Sequence, residues 1–302
     1  MVTAALRKPL NQTMLRQIKN DGIKEEVHGL PLVFLPIITK TRVALFEGDF
    51  NFHKSNSTYF TDLDTSRSHL LSFLCFHGVA KTDKELSAEG KKGTITAMLG
   101  STYTHFKREI PTGHAYEVWS RIMTWDHKWL YVVTHFVCRG KIVPRACVAD
   151  LVEDRQQQQS VHMKPFNTSL SSSEIESSVY ASSVSKCVFK KGRLTVSPER
   201  ILSASGLLSN VLPPDTSPID PTSLKGGDGE GEITIDVLEK KLSAHADDQD
   251  LATRIEAERC KNLRFAELSS GLEDLQRNFL KDEEVLNGVI SLGTFTDLGC
   301  RG

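Results

Sequence analysis

The sequence predicts an α+β fold in which a first strand runs into one long helix and long antiparallel strands follow. Val43 and Leu45 stand at alternate positions, the period of a strand with one buried face. From Tyr59 to Leu74 the apolar residues Phe60, Leu63, Leu70, Leu71 and Leu74 recur at helical intervals. Beyond a polar stretch at 81–93, segments 94–108, 115–125 and 129–138 are rich in Thr, Tyr, Trp, Val and Ile. The last two alternate across the short loop Asp126-His127-Lys128, as hairpin strands do.

The rest of the chain fits around this core, which spans about residues 25–208. Residues 1–24 form an N-terminal segment. Its first 20 residues carry Arg7, Lys8, Arg16 and Lys19 and no acid, a composition shared by mitochondrial presequences and basic amphipathic helices. At about 154–178, four glutamines from Gln156 to Gln159 and a serine-rich run through Ser173 lack the apolar residues a packed element needs and read as a flexible insertion. Strand composition returns at Val179–Phe189. Lys191-Gly192 and Pro198 then lead to a short helix from Glu199 to Leu208 that Gly206 helps to end. Residues 209–235 form a linker. Its Gly226-Gly227-Asp228-Gly229-Glu230 carries negative charge where a phosphate loop has none. Residues 236–302 form a charged helical extension with Leu268, Leu272, Leu275 and Phe279 on one stripe.

Composition narrows the function. Thirty-seven basic residues nearly cancel thirty-eight acidic ones, so no global field attracts nucleic acid. The cysteines Cys75, Cys138, Cys147, Cys187, Cys260 and Cys300 include no CxxC pair and read as reduced thiols, with no metal site. The longest apolar stretch, Leu30 to Ile38, is far shorter than the roughly 20 residues that span a bilayer. A soluble cytoplasmic protein is expected, with mitochondrial import as the alternative. GxSxG and HExxH are absent, which argues against an α/β-hydrolase and against a zinc hydrolase. His105, His114, His127 and His135 have no ligand-like companions, and Trp119, Trp125 and Trp129 are spaced as strand core residues.

The densest group of reactive side chains is Asp49-Phe50-Asn51-Phe52-His53-Lys54-Ser55-Asn56-Ser57-Thr58-Tyr59, between the first strand and the long helix. Asn56, Ser57 and Thr58 suit the helix start, whose unpaired N–H groups carry partial positive charge. The spacing of Asp49, His53, Asn56, Tyr59, Asp64 and Arg67 resembles that of acyl-CoA thioesterases of the hotdog superfamily, the 4-hydroxybenzoyl-CoA thioesterase-like kind. The wording DFNFHKSNSTYFTDLDTSRSHLL, with FKREI, EVWSR and SKCVFKKGRLTVSPERIL later, looks most like fungal thioesterase-like proteins, including members associated with secondary-metabolite gene clusters. Two departures stand out. Bacterial members pair two asparagines where this chain has Ser55 and Asn56, and the hydrophobic N-terminal anchor of many relatives is missing.

The resemblance implies a long helix wrapped by an antiparallel sheet, a homodimer, and a thioester site at the pairing surface. It implies release of an acyl or polyketide chain from coenzyme A or an acyl carrier protein, with no cofactor beyond water. Asp49 takes the role of general base or nucleophile, and Asp64 is the alternative carboxylate, although Arg67 three residues on offers it an ion pair. His53, Asn56, Ser57, Thr58 and Tyr59 are the substrate-binding candidates. Duller roles stand beside these: turn-ordering for His53, helix capping for Asn56, core packing for Tyr59. A noncatalytic acyl-binding or scaffold protein of the same fold is the competing reading. A hotdog dehydratase relying on His53 is a third.

Overall fold

The computed structural model describes residues 26–27, 29–148, 172–208 and 235–266. The elements run β1 (Glu26–Val27), β2 (Leu30–Pro31), β3 (Ile37–Arg42), α1 (Asn56–Ala88), β4 (Ile95–Phe106), β5 (Ala115–Trp125) and β6 (Leu130–Cys138). There follow α2 (Ser172–Ser177), β7 (Val179–Lys191), β8 (Leu194–Val196), α3 (Pro198–Ala204) and α4 (Ile235–Ala266). Segment 1–24, most of the insertion, nearly all of the linker and the stripe from Leu268 to Phe279 lie outside the described residues. The chain divides into units 1–263 and 264–302; of the second, only the final turn of α4 is described.

The first strand lies earlier than the alternation of Val43 and Leu45 predicts. β3 takes the β-branched run Ile37, Ile38, Thr39 and Thr41 that follows Pro36, while Leu45–Glu47 is one turn of 3-10 helix. Side-chain stiffness at Cβ suits the pleat, whereas Leu45 and Phe46 are exposed among the described residues. The helix is longer than its apolar spacing indicates. α1 continues through the polar stretch to Ala88 because Lys, Glu, Leu and Ala are good helix formers and Thr82 and Leu86 are still buried. α3 is capped by Ser197, whose Oγ accepts from the Arg200 amide, has Pro198 in its first turn, and is followed by Gly206 at φ 71°.

The main sheet has six strands in the order β3-β5-β6-β7-β4, with β8 paired to β7, and every pairing is antiparallel. Residues one step apart along β5 point to opposite faces. Tyr116, Val118, Ser120 and Ile122 face α1, and Glu117, Trp119 and Arg121 face away. Two hydrophobic clusters form. One holds Tyr59, Leu63, Tyr116, Val118, Phe136 and Ala181. The other holds Leu70, Phe73, Leu74, Ile122, Val132, Cys187 and Phe189.

A band of hydroxyls crosses the structure between the clusters. Ser66 of α1 bonds Ser120 at 2.7 Å, and Ser120 bonds Thr134 at 2.7 Å. On β7, Ser183 bonds Thr104 at 3.0 Å and Ser185 accepts from Arg67 at 3.1 Å. Each hydroxyl of this band thereby keeps a partner, without which it would cost about 1–3 kcal/mol. α4 contributes Leu251 and Ile255 to the larger cluster, each stabilising by about 1.5–3 kcal/mol. It is tied to β5 where the Thr124 hydroxyl donates to the Arg259 carbonyl at 2.8 Å. A long helix held on an antiparallel sheet is the hotdog arrangement that the resemblance implied. No helix among the described residues is long and apolar enough to cross a membrane.

Candidate active site

The loop from Glu47 to Ser55 is folded on itself by its own aspartate. Asp49 Oδ1 accepts from the amides of Asn51 at 2.9 Å and His53 at 3.0 Å. The Asp49 amide donates to the His53 carbonyl at 2.7 Å. This closure holds Phe52 at φ 59°, a left-handed conformation that bulky residues adopt only when surroundings impose it. The surroundings are Thr112, whose amide and hydroxyl both donate to the Phe52 carbonyl at 2.8 Å, and the bridge between His53 and Pro111.

Beneath the loop, Lys54 is its anchor. The side chain is fully buried, and its Nζ lies 3.2 Å from Glu47 Oε2 and 3.0 Å from Asp62 Oδ2. The Tyr116 hydroxyl donates to the same Asp62 oxygen at 2.5 Å. Burial and the Asp62 carboxylate push the Tyr116 phenol well above its ordinary range, so it stays protonated as a donor. Lys54 Nζ also stands 5.4 Å from the ring centres of Tyr59 and Tyr116, where ring quadrupoles favour a cation.

α1 begins where the loop ends. Ser55 is the N-cap, one residue before the predicted start, and its side chain makes no capping bond to the helix backbone. Its Oγ meets Ser57 Oγ at 3.0 Å, and its carbonyl accepts from the Thr58 hydroxyl at 2.7 Å. Asn56 and Ser57 are exposed in the first turn, where amides have no intrahelical acceptor. Asp49, His53, Ser57 and Thr58 are thus brought to one loop–helix junction, with Asn56 beside them as a first-turn residue rather than the cap. Tyr59 points into the core, tilted against Phe136 and edge-on to Phe106. Asp64 lies about 12 Å further along the helix and pairs with Arg67.

Residues 43–170 match the family described as the thioesterase-like superfamily. The chain is 39% identical over 196 residues to the thioesterase poxG of Penicillium oxalicum, covering 63% of this chain and 60% of that one. It is 34% identical to the probable thioesterase atnL of Emericella nidulans, covering 59% and 56%. It is 37% identical to the thioesterase lcsJ of Purpureocillium lilacinum, covering 61% and 52%. The chain therefore spans less than two thirds of the length of these relatives. Among solved structures, a gentisyl-coenzyme A thioesterase aligns at 15% identity and TM-score 0.34, over 56% of this chain and 99% of that one. The probable thioesterase YbaW of Escherichia coli aligns at 12% and 0.35, over 57% and 96%.

Several residues that shape the site are not legible in the motif. Lys54 sits inside it, but its partner Asp62 and the phenol of Tyr116 are brought in by helix and strand. Glu109 Oε2 lies 3.3 Å from His53 Nδ1, close enough for an ion pair but without hydrogen-bond geometry, since that nitrogen is buried and has no hydrogen-bond partner. The fully exposed Phe46 and Phe50 and the mostly exposed Phe52 lie within three residues of Asp49 in the chain. Three phenylalanines near one acid were a signal in the sequence, but only the fold shows that they are uncovered.

Proposed function

We propose that the domain hydrolyses an acyl thioester, with Asp49 as general base for water or as direct nucleophile. The observation that carries this is the pinning of Asp49 in the loop that leads into α1. Its Oδ1 is fixed by two backbone amides, and Oδ2 accepts no hydrogen bond among the described residues. A carboxylate held this way has one oxygen oriented by the loop and the other free for water or a thioester carbon. As water attacks, its proton passes to Asp49, negative charge develops on the carbonyl oxygen, and collapse expels the thiolate. The first-turn amides of α1, near Asn56 and Ser57, are donors suited to that oxygen. Asp64 is the weaker choice, because its charge is already matched by Arg67.

A second copy completes the site in this reading. Among the described residues β4 is a 12-residue edge strand with one side unpaired and with Met98, Leu99, Tyr103 and Phe106 exposed. These side chains and the exposed Phe46, Phe50 and Phe52 are apolar groups of the kind that pairing with a second copy covers. Covering them in a homodimer excludes water from the thioester and strengthens every charge interaction there. The substrate class is an acyl or polyketide chain on coenzyme A or on a carrier protein; secondary-metabolite biosynthesis and a cytoplasmic location belong to the same proposal. The named thioesterases of filamentous fungi at 34–39% identity support it.

Free-thiol release from a panel of acyl-CoA, acyl-pantetheine and carrier-bound acyl thioesters tests the proposal. Turnover of at least one class is expected. Binding without release across the whole panel would leave the protein an acyl-binding module and end the hydrolase reading.

A further inference from the structure

On the face of the sheet turned away from α1, a cavity of about 460 Å³ lies between β5, β6, the β1–β2 segment and α4. Small organic ligands occupy pockets of about 300–1,000 Å³. Leu30, Phe34, Pro36 and Trp119 make apolar walls, and Arg121, Arg145 and Arg254 bring three guanidinium groups to the same space. Trp119 and His135 are cross-strand neighbours, so the indole and imidazole line adjacent positions of one face.

The three arginines are not equally engaged. Arg254 is spent: it donates to Glu26 Oε1 at 2.5 Å and to the Gly29 carbonyl at 2.7 Å. Glu258 accepts hydrogen bonds from Lys261 and Asn262; it attracts Arg121 through space but no hydrogen bond joins the two. Arg121 makes one long bond, to the Ile122 carbonyl at 3.4 Å, leaving most of its five donors unused. Burial pulls its pKa down, a mark of the water lost around it. Arg145 makes no hydrogen bond or ion pair among the described residues, and its Nη2 would stand 3.7 Å from a Cβ at Gly29. That same glycine's carbonyl holds Arg254, so two cations crowd one backbone position. Burial and the nearby Arg121 also lower the pKa of His135, which keeps it neutral and leaves the arginines to set the charge.

We propose that this cavity binds an organic carboxylate with a flat apolar body, the carboxylate on Arg121 and Arg145 and the body against Trp119 and Phe34. A guanidinium fork matches a carboxylate in two parallel bonds, and a desolvated cation short of acceptors is costly until an anion supplies them. The site is separate from Asp49, on the opposite face of the sheet, and does not depend on the proposed hydrolysis.

Isothermal titration of the full chain with biphenyl-4-carboxylate, and with the uncharged 4-(hydroxymethyl)biphenyl, tests this. The expected result is saturable one-to-one binding of the acid, at least tenfold weaker for the alcohol, for Arg121→Gln and for the rim variant Arg145→Gln. Binding by Asp49→Asn is expected to be unchanged. Because Arg145 is exposed, its variant stays informative even where Arg121→Gln misfolds. Absence of saturable binding, equal binding of acid and alcohol, undiminished binding by folded arginine variants, or loss of binding in Asp49→Asn each overturns the proposal.

Discussion

Lys54 carries more of the site's stability than its place in the motif indicates. Its ammonium is wholly buried against Glu47 and Asp62, and removing one member of such a group strands the others. Lys54→Met should destabilise the fold by about 3 kcal/mol, read as a lower urea midpoint, and should free the loop that holds Asp49. A second buried lysine, Lys191, lies 2.7 Å from Asp83 and through that hydrogen bond holds the Asp83 pKa below its ordinary value. A depressed aspartate stabilises the fold above its unfolded pKa, and that contribution is lost as pH falls through the folded one. The melting-temperature gap between wild type and Asp83→Asn should therefore be full at neutral pH and close below about pH 4; a gap constant down to pH 2 would contradict it. At this scale the motif made Asp49, His53 and the helix-start residues legible, because they are neighbours in the chain. Lys54 with Tyr116, and His53 with Glu109, were not, because spacing says nothing about partners more than 50 residues away.

Gly78 shows how two helices set each other's position. A Cβ there would meet the Ile201 carbonyl at 2.0 Å and Ser205 Oγ at 2.2 Å, and the Gly78 amide donates to Ser205 Oγ at 3.1 Å. Alanine is the better helix former by about 1 kcal/mol, yet overpacking of this kind costs about 1–3 kcal/mol. Gly78→Ala should lower the melting temperature; a rise would mean that α3 does not press on α1. Periodicity made α1 and four long strands legible because each has one buried face. It misplaced β3, since Ile37 and Ile38 fall in an apolar run without alternation. It also stopped α1 short, since the last turns bury only Thr82 and Leu86 and otherwise face water. The hydroxyl band was invisible: Ser66, Ser120 and Thr134 look like surface residues until the sheet curls over the helix.

At the scale of the whole molecule, the edge of β4 has no strand paired to it among the described residues. Leu99→Lys places a charge on that edge, as natural edge strands do to prevent pairing. In sedimentation velocity it should convert a dimer to a monomer, and wild-type protein that is already monomeric would contradict the shared-site account. Trp119 was read as core and instead lines the outer cavity, because a period of two tells that a residue faces one side of a sheet but not which side is closed. Turnover of the best panel substrate by Asp49→Asn and Asp64→Asn is the decisive measurement for the proposed hydrolysis of thioesters through Asp49. A loss of about a hundredfold or more in kcat is expected for Asp49→Asn, at unchanged melting temperature, and a small effect for Asp64→Asn. Equal rates for wild type and Asp49→Asn, or loss confined to Asp64→Asn, would contradict hydrolysis through Asp49.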